Sequence, residues 1–411
     1  WADSPQEIYF GIGRPSTISV SYSDVQGGKS KIVTNDNGTV NWGAGNIRTS
    51  SVIPDADPLF VDAVNGDYHL LDDSLCIGMG TVVDIPTDIE GNVRGVPPDI
   101  GAYESVLDTR LVTTIRVPQD KSTIQAGINA ATRGDMVLVA DGVYTGRSNV
   151  SLDFMGKSII VRSVNGAASA IVDCQNQNTR GFYFRNGETQ TSVLDGFTIT
   201  NGSGIFCSNS SPTIVNCTIT NNQAQSGAGI VCYNSSSPTI TSCIITDNQA
   251  QSGAGVYCEK SSPNLTNCTI IGNRADSNGG GIFCNNSLLI IINCTITNNQ
   301  AQSGGGIYGA NNVLLTVINT ILWGDSPQEI FLSVGKPNTI NISYSDVQDG
   351  QSGIVVNDNS TVNWEDGNID TDPLFCDAGN GDFTLAENSP CLGTGQDGAD
   401  MGALGVGVCG E

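Results

Sequence analysis

The sequence holds a single histidine, His69, and no Cys-X-X-Cys pair among its thirteen cysteines. Zinc and haem centres draw on histidine and closely spaced thiolates, so both absences argue against them. No apolar run of about 18 residues occurs, which leaves no segment able to cross a bilayer as a helix. Bases are scarce: 17 Lys and Arg stand against 41 Asp and Glu, for a net charge of −24. Such a chain repels nucleic acid and anionic membranes. The first residue is Trp1 and no signal peptide is visible, which reads as a mature or trimmed product. Many cysteines without metal spacing fit an oxidising compartment outside the cytoplasm, at the cell surface or beyond it.

What is present is repetition. The segment NNQAQSGAGIVC from Asn221 returns as DNQAQSGAGVYC from Asp247, as GNRADSNGGGIFC from Gly272 and as NNQAQSGGGIYG from Asn298. Glycine-led runs start at Gly204, Gly229, Gly255, Gly281 and Gly306, spaced by 25, 26, 26 and 25 residues. Between them lie PTIVNCTITNN, PTITSCIITDN, PNLTNCTIIGN, LIIINCTITNN and LTVINTILWGD. Each unit offers two or three short β-rich runs and no 3.6-residue period, and it cannot bury its apolar face alone. Stacked at strand spacing (~4.8 Å), such units form an all-β parallel β-helix. Its interior is expected to hold Ile205, Cys207, Ile214, Cys217, Ile219 and their equivalents.

Three sets of residues recur in register. Asn222, Asn248, Asn273 and Asn299 suit an internal asparagine ladder at a tight turn. Cys207, Cys232, Cys258 and Cys284 form one column; Cys217, Cys243, Cys268 and Cys294 form another. Both columns are Phe in the preceding rung (Phe184, Phe197), and both are lost in the last (Gly309, Thr320). Joint loss suggests contact, hence within-rung disulfides Cys207–Cys217, Cys232–Cys243, Cys258–Cys268 and Cys284–Cys294. The alternative is stacked free thiols acting as small core hydrophobes.

Upstream, Ser122 or Thr123 can cap a short amphipathic helix carrying Ile124, Ile128 and Ala131, with Gly134 ending it. The helix would cover the open first rung. STIQAGINAATRGDMVLVADGVY, GKSIIVRSVNG and SVLDGFTITNG resemble the start of bacterial right-handed β-helix proteins of the pectin-lyase-like superfamily. The resemblance runs from residue 110 to about 350. It implies a fold more than an activity, because lyases, hydrolases, epimerases, adhesins and structural proteins share it.

The last third repeats the first quarter: WADSPQEIYFGIGRPSTISVSYSDVQ from Trp1 matches WGDSPQEIFLSVGKPNTINISYSDVQ from Trp323. The pattern SYSDVQ, GNI, DPLF, NGD and a later Cys resembles the choice-of-anchor Q domain of bacterial surface and secreted proteins. The expected division is a first Q-like module at 1–104, a β-helix at 105–322 and a second module at 323–411 that closes it. Cys376 and Cys391 are close enough for a bridge in the second copy. The first copy begins where a β-helix strand should precede it, so an earlier β-helix or another chain is expected to supply that strand.

Chemistry is sparse. Between Gly204 and Leu322 the only charges are Asp247, Glu259, Lys260, Arg274 and Asp276. A glycosidase needs paired carboxylates, and a uronate lyase needs a base with a calcium site. The residues to suspect for catalysis are Asp173, Arg185 and Asp195. Aspartates in DADPLFVDAVNGD (Asp55, Asp57, Asp62) and DTDPLFCDAGNGD (Asp370, Asp372, Asp377) are calcium candidates, with Asx-turns as the alternative. No cofactor other than calcium is expected. Asn209, Asn234 and Asn285 head N-X-Ser/Thr sequons, which Asn-rich turns produce by chance. The sequence reads first as a non-enzymatic extracellular structural protein: a stalk, sheath or filament subunit that partners itself head to tail. A polysaccharide lyase or glycoside hydrolase is the second reading. A glycan-binding adhesin, contacting through SNSS, YNSSS and EKSS, is the third.

Overall fold

A computed structural model describes residues 113–409 except 177, 178 and 358. In the first 112 residues it describes chiefly 16–20, 38–42, 60–71, 85–95 and 98–105. Two compact units emerge, Trp1–Val112 and Thr113–Glu411.

The second unit is a parallel β-helix with three faces. The first face has eleven strands, from Thr114–Val117 to Thr361–Trp364. The second has nine, from Gly142–Tyr144 to Asp346–Val347, and the third nine, from Leu152–Asp153 to Val355–Val356. Strands stack in register, so each residue meets its own equivalent one coil away: Ile214 pairs with Ile240 and Ile240 with Leu265. Alternation sends Ile205 and Cys207 inward and leaves Phe206 and Ser208 half-buried outside. Fully burying such an aliphatic side chain stabilises by roughly 1.5–3 kcal/mol, which is why the stack rather than the single coil is the folding unit.

The corners explain the asparagines. A coil turns from first to second face on one residue with positive φ: Asn216, Ser242, Asn267, Asn293 and Asn319, all between 51° and 54°. Asparagine tolerates this left-handed geometry better than most residues with a Cβ. A fourth, short sheet of three strands (Gln223–Ser226, Gln249–Ser252, Arg274–Asn278) forms a lip between second and third faces.

At the N-terminal end a helix spans Ile124–Ala130, with Ile124, Gly127 and Ile128 buried. Thr123 caps it by accepting from the Ala126 amide. The helix stops one residue before Ala131, and Lys157 Nζ donates to the carbonyls of Ile128, Asn129 and Ala131. Cys-free and compact, this cap packs on Val117 and Val137, which leave no room for a side chain at Gly127.

The faces do not stop at residue 322. Strands Ile330–Leu332, Thr339–Ser343, Asp346–Val347, Val355–Val356 and Thr361–Trp364 continue all three. The segment that matches the first copy therefore begins as the last coils of the solenoid. Its pairing Thr339↔Thr361, Ile340↔Val362 has the same register as Thr17↔Thr39, Ile18↔Val40 in the first unit. The hairpins match as well: Phe375↔Leu385 and Asp377↔Asp382 repeat Phe60↔Leu70 and Asp62↔Asp67.

The disulfides differ from expectation. All eight cysteines of the two columns are free and buried, so the four within-rung pairs are not formed. Register is the reason. Cys232 faces Cys207 and Cys258 along the third face, not Cys243 across the coil. The Cys376–Cys391 bridge is also absent. Cys376 bonds to Cys409 instead, because residue 406 lies alongside Leu385 and brings the C-terminal strand to the hairpin. Cys391 is turned into a small core with Ile321, Leu385 and Met401, where its thiol donates to Asp346 Oδ2 at 3.2 Å.

Candidate functional site

Three hydrogen-bonded ladders run along the corners. In the first, Asn222 donates from its backbone N and its Nδ2 to Asn248 Oδ1, both at 3.1 Å. Asn248 does the same to Asn273, and Asn273 to Asn299. Each Nδ2 also reaches a carbonyl one coil back, as Asn273 does to Ile245. In the second ladder Cys217, Cys243, Cys268 and Cys294 donate their S–H to the carbonyl two residues before, at 3.2–3.3 Å. Thr320 and Ser345 continue it with hydroxyls on Ile318 and Ser343. The third begins at Glu188, which accepts from Gly156 N, Asn186 N and Ser210 Oγ.

The asparagine ladder ends on an acid. Asn299 donates to Asp325 Oδ1, and Asp325 N donates to Glu329 Oε1 at 3.0 Å. Both acids are buried, 8% and 4% exposed, and Asp325 Oδ2 and Glu329 Oε2 have no conventional partner. Burial pushes both carboxyls well above the usual carboxylate range, and the charge of Asp325 pushes Glu329 further. Two adjacent acids in so dry a place hold a proton between them. This pair was missed in the sequence, although Asp325 follows Asn299 at the ladder spacing of 26 residues.

The three suspected catalytic residues are not brought together. Asp173 ends a strand of the second face and accepts from Gln175 N and Asn201 Nδ2. Asp195 ends a strand of the first face, bound by Arg162 Nε at 2.6 Å and Asn216 Nδ2 at 2.9 Å. Arg185 follows a third-face strand, pairs with Asp153 and lies 4.5 Å over the Tyr183 ring. Each is occupied locally by its own corner.

The calcium candidates are likewise engaged. Asp62 and Asp377 cap short 3₁₀ turns through Asn65 and Asn380. Asp372 accepts from Leu374 N, and Asp370 from Asp349 N. Asp55 and Asp57 lie outside the described residues. Among the described residues no three His, Cys, Asp or Glu side chains gather as a metal site.

A cleft opens at one corner of the solenoid. Turns from second to third face take nine residues at 221–229 and nine at 247–255, but only four at 201–204. The short turn leaves a notch of about 490 Å³ lined by Asn176, Asn201, Asn221, Gln223, Asp247 and Gln249. Gly202 forms its floor, pressed so closely on Cys174 that a Cβ would sit 2.6 Å from the cysteine Cβ.

The family model of the right-handed β-helix region matches residues 137–287. A model of the Chlamydia polymorphic membrane protein repeat matches residues 293–310. No curated protein matches the sequence. The crystal structure of pectate lyase Pel9A aligns with a TM-score of 0.50 at 14% identity, covering 72% of this chain and 97% of that one. At that identity the likeness concerns fold, and the solenoid is a right-handed parallel β-helix.

Proposed function

We propose that the chain is a non-enzymatic structural protein of the cell exterior, a surface stalk or filament subunit joined head to tail through its terminal segments. The observation that carries this reading is the in-register solenoid with three corner ladders, whose repeats from Gly204 to Leu322 expose few charges. Such a body offers length and rigidity, not a reaction centre. The stretch similar to the Chlamydia polymorphic membrane protein repeat supports a surface location. The matched register of Ser16–Val20 and Thr339–Ser343 supports assembly, since a repeated end module invites a heterologous, non-closing contact. Negative-stain electron microscopy with intact mass on the same sample tests it. Fibres with a regular axial repeat are expected; single particles of one chain's mass at high protein concentration would remove the polymer.

A polysaccharide lyase is the competing reading, favoured by the fold shared with pectate lyase Pel9A. Against it stands the scatter of Asp173, Arg185 and Asp195 over three faces. Release of unsaturated products from polyuronate, with and without calcium, would reverse the preference.

A further inference from the structure

The notch at residues 201–204 has the chemistry of a ligand site. Its walls are built from turns of the coil before and the two coils after, and its floor from the short turn at 201–204. The walls are tied to the floor through backbone: Gln223 N donates to Gly202 O at 2.7 Å and Asn176 N to Asn201 O at 2.8 Å. Arg180, mostly buried behind the floor, bolts the two levels together by donating to the carbonyls of Ser203 and Gly227. A cleft held in this way needs no backbone ordering when a ligand enters.

The lining is almost purely carboxamide. Among the described residues the side chains of Asn176, Gln223 and Gln249 make no hydrogen bond to protein and stand exposed to the notch. Asn201 is tied to Asp173, Asn221 to Thr220, and Asp247 accepts from the Thr246 hydroxyl. Carboxamides offer donors and acceptors side by side, as sugar hydroxyls do. Among the described residues no Lys or Arg lines the notch, so a uronate, sulfate or phosphate would enter beside Asp247 without a counter-charge. No apolar side chain lines it among those residues either, which leaves a peptide nothing to bury. A volume of about 490 Å³ falls within the range of small-ligand sites.

We propose that this cleft binds an uncharged oligosaccharide, its hydroxyls held by Asn176, Gln223, Gln249 and Asp247. The inference rests on the exterior location proposed above, where glycans are met, and adds a glycan contact to the structural role. It places the contact at the second-to-third-face corner rather than on the SNSS, YNSSS and EKSS turns.

Calorimetric titration of the full chain with cello-, xylo- and manno-oligosaccharides, beside oligogalacturonates, tests it. At least one neutral series is expected to bind and the uronates are not. Gln223→Ala with Gln249→Ala should weaken binding tenfold or more, while Asn234→Ala at another corner leaves it unchanged. Inserting Gln-Ala-Gln-Ser-Gly after Gly202 gives the short turn the length of its neighbours. With β-structure verified by circular dichroism, this filled variant should lose binding. No neutral binding, a preference for uronates, or binding that survives the filled notch would each overturn the assignment. The exterior location is read separately by protease accessibility on intact cells, so its failure leaves the titration result standing.

Discussion

Asn299 places two donors, its backbone N and its Nδ2, on one oxygen of Asp325, at 2.6 and 2.9 Å. Every earlier step of this ladder joins amide to amide; this one joins amide to acid. Glu329 closes behind it, and the two carboxyls have oxygens with no conventional partner. The arrangement is tolerable when protonated and costly when charged.

The first prediction follows from that asymmetry. The folded carboxyls of Asp325 and Glu329 titrate above their unfolded values, so their protonation favours the native state. That contribution is complete below about pH 4, the unfolded carboxylate range, and is lost as pH rises through the folded values. Asp325→Asn extends the ladder by one amide and removes one buried acid. It should raise stability by about 1–2 kcal/mol at pH 8 and by little at pH 4. Urea midpoints across this range measure it; equal effects at both pH values would reject the shared-proton reading.

Mid-ladder substitution should act differently. Asn273 donates to Ile245 O and Asn299 Oδ1 and accepts from Asn248, all without solvent. Asn273→Ala therefore strands several buried groups and should cost about 3–5 kcal/mol at every pH. Asn267→Ala, at an exposed corner with φ of 53°, gives up left-handed tolerance alone and should cost about 1 kcal/mol. A small loss at Asn273 would mean that water replaces the ladder.

Much of this was legible in the sequence, and the exceptions have physical causes. Repeat spacing exposes the coils because in-register stacking forces equivalent residues onto one another, so Asn222 and Asn248 had to meet. The same rule should have decided the cysteines. Cys232 meets Cys258 by register, and Thr320 replaces Cys294 because a hydroxyl makes the same bond to the backbone as a thiol. Joint loss of two columns reflected two separate substitutions: Gly309 makes way for Leu332 in the other column. The suspected Asp173, Arg185 and Asp195 carried no periodic signal, and their scatter depends on which face each strand joins. The cleft was written in the length of one turn, which matters only beside its longer neighbours.

The two cysteine columns should respond unequally to hydroxyl substitution. Cys268 already donates to Thr266 O, so Cys268→Ser keeps a bond and is expected to cost below about 1.5 kcal/mol. Cys258 lies in the core between Cys232 and Cys284 with its thiol pushed well up by those neighbours and by burial. Cys258→Ser buries a hydroxyl among thiols, and a loss of about 2–3 kcal/mol is expected. Equal costs would show that both columns are plain packing.

Thiol chemistry counts the bonds directly. Thirteen cysteines and one disulfide leave eleven thiols, all buried. Alkylation of the native protein should label almost none, because burial raises several of these thiols and only thiolates react. In denaturant without reductant, mass should rise by eleven adducts, and peptide mapping should join Cys376 to Cys409. Within-rung disulfides would instead leave only a few thiols to label. The bond spans 33 residues of the C-terminal segment, a loop whose closure is worth about 3–4 kcal/mol in the chain-entropy account. Its reduction should therefore loosen the Phe375–Asp377 hairpin, which hydrogen exchange will register, while the coils from Ile205 to Leu322 stay protected. Loss of protection throughout the solenoid on reduction would mean that this C-terminal segment clamps the whole stack.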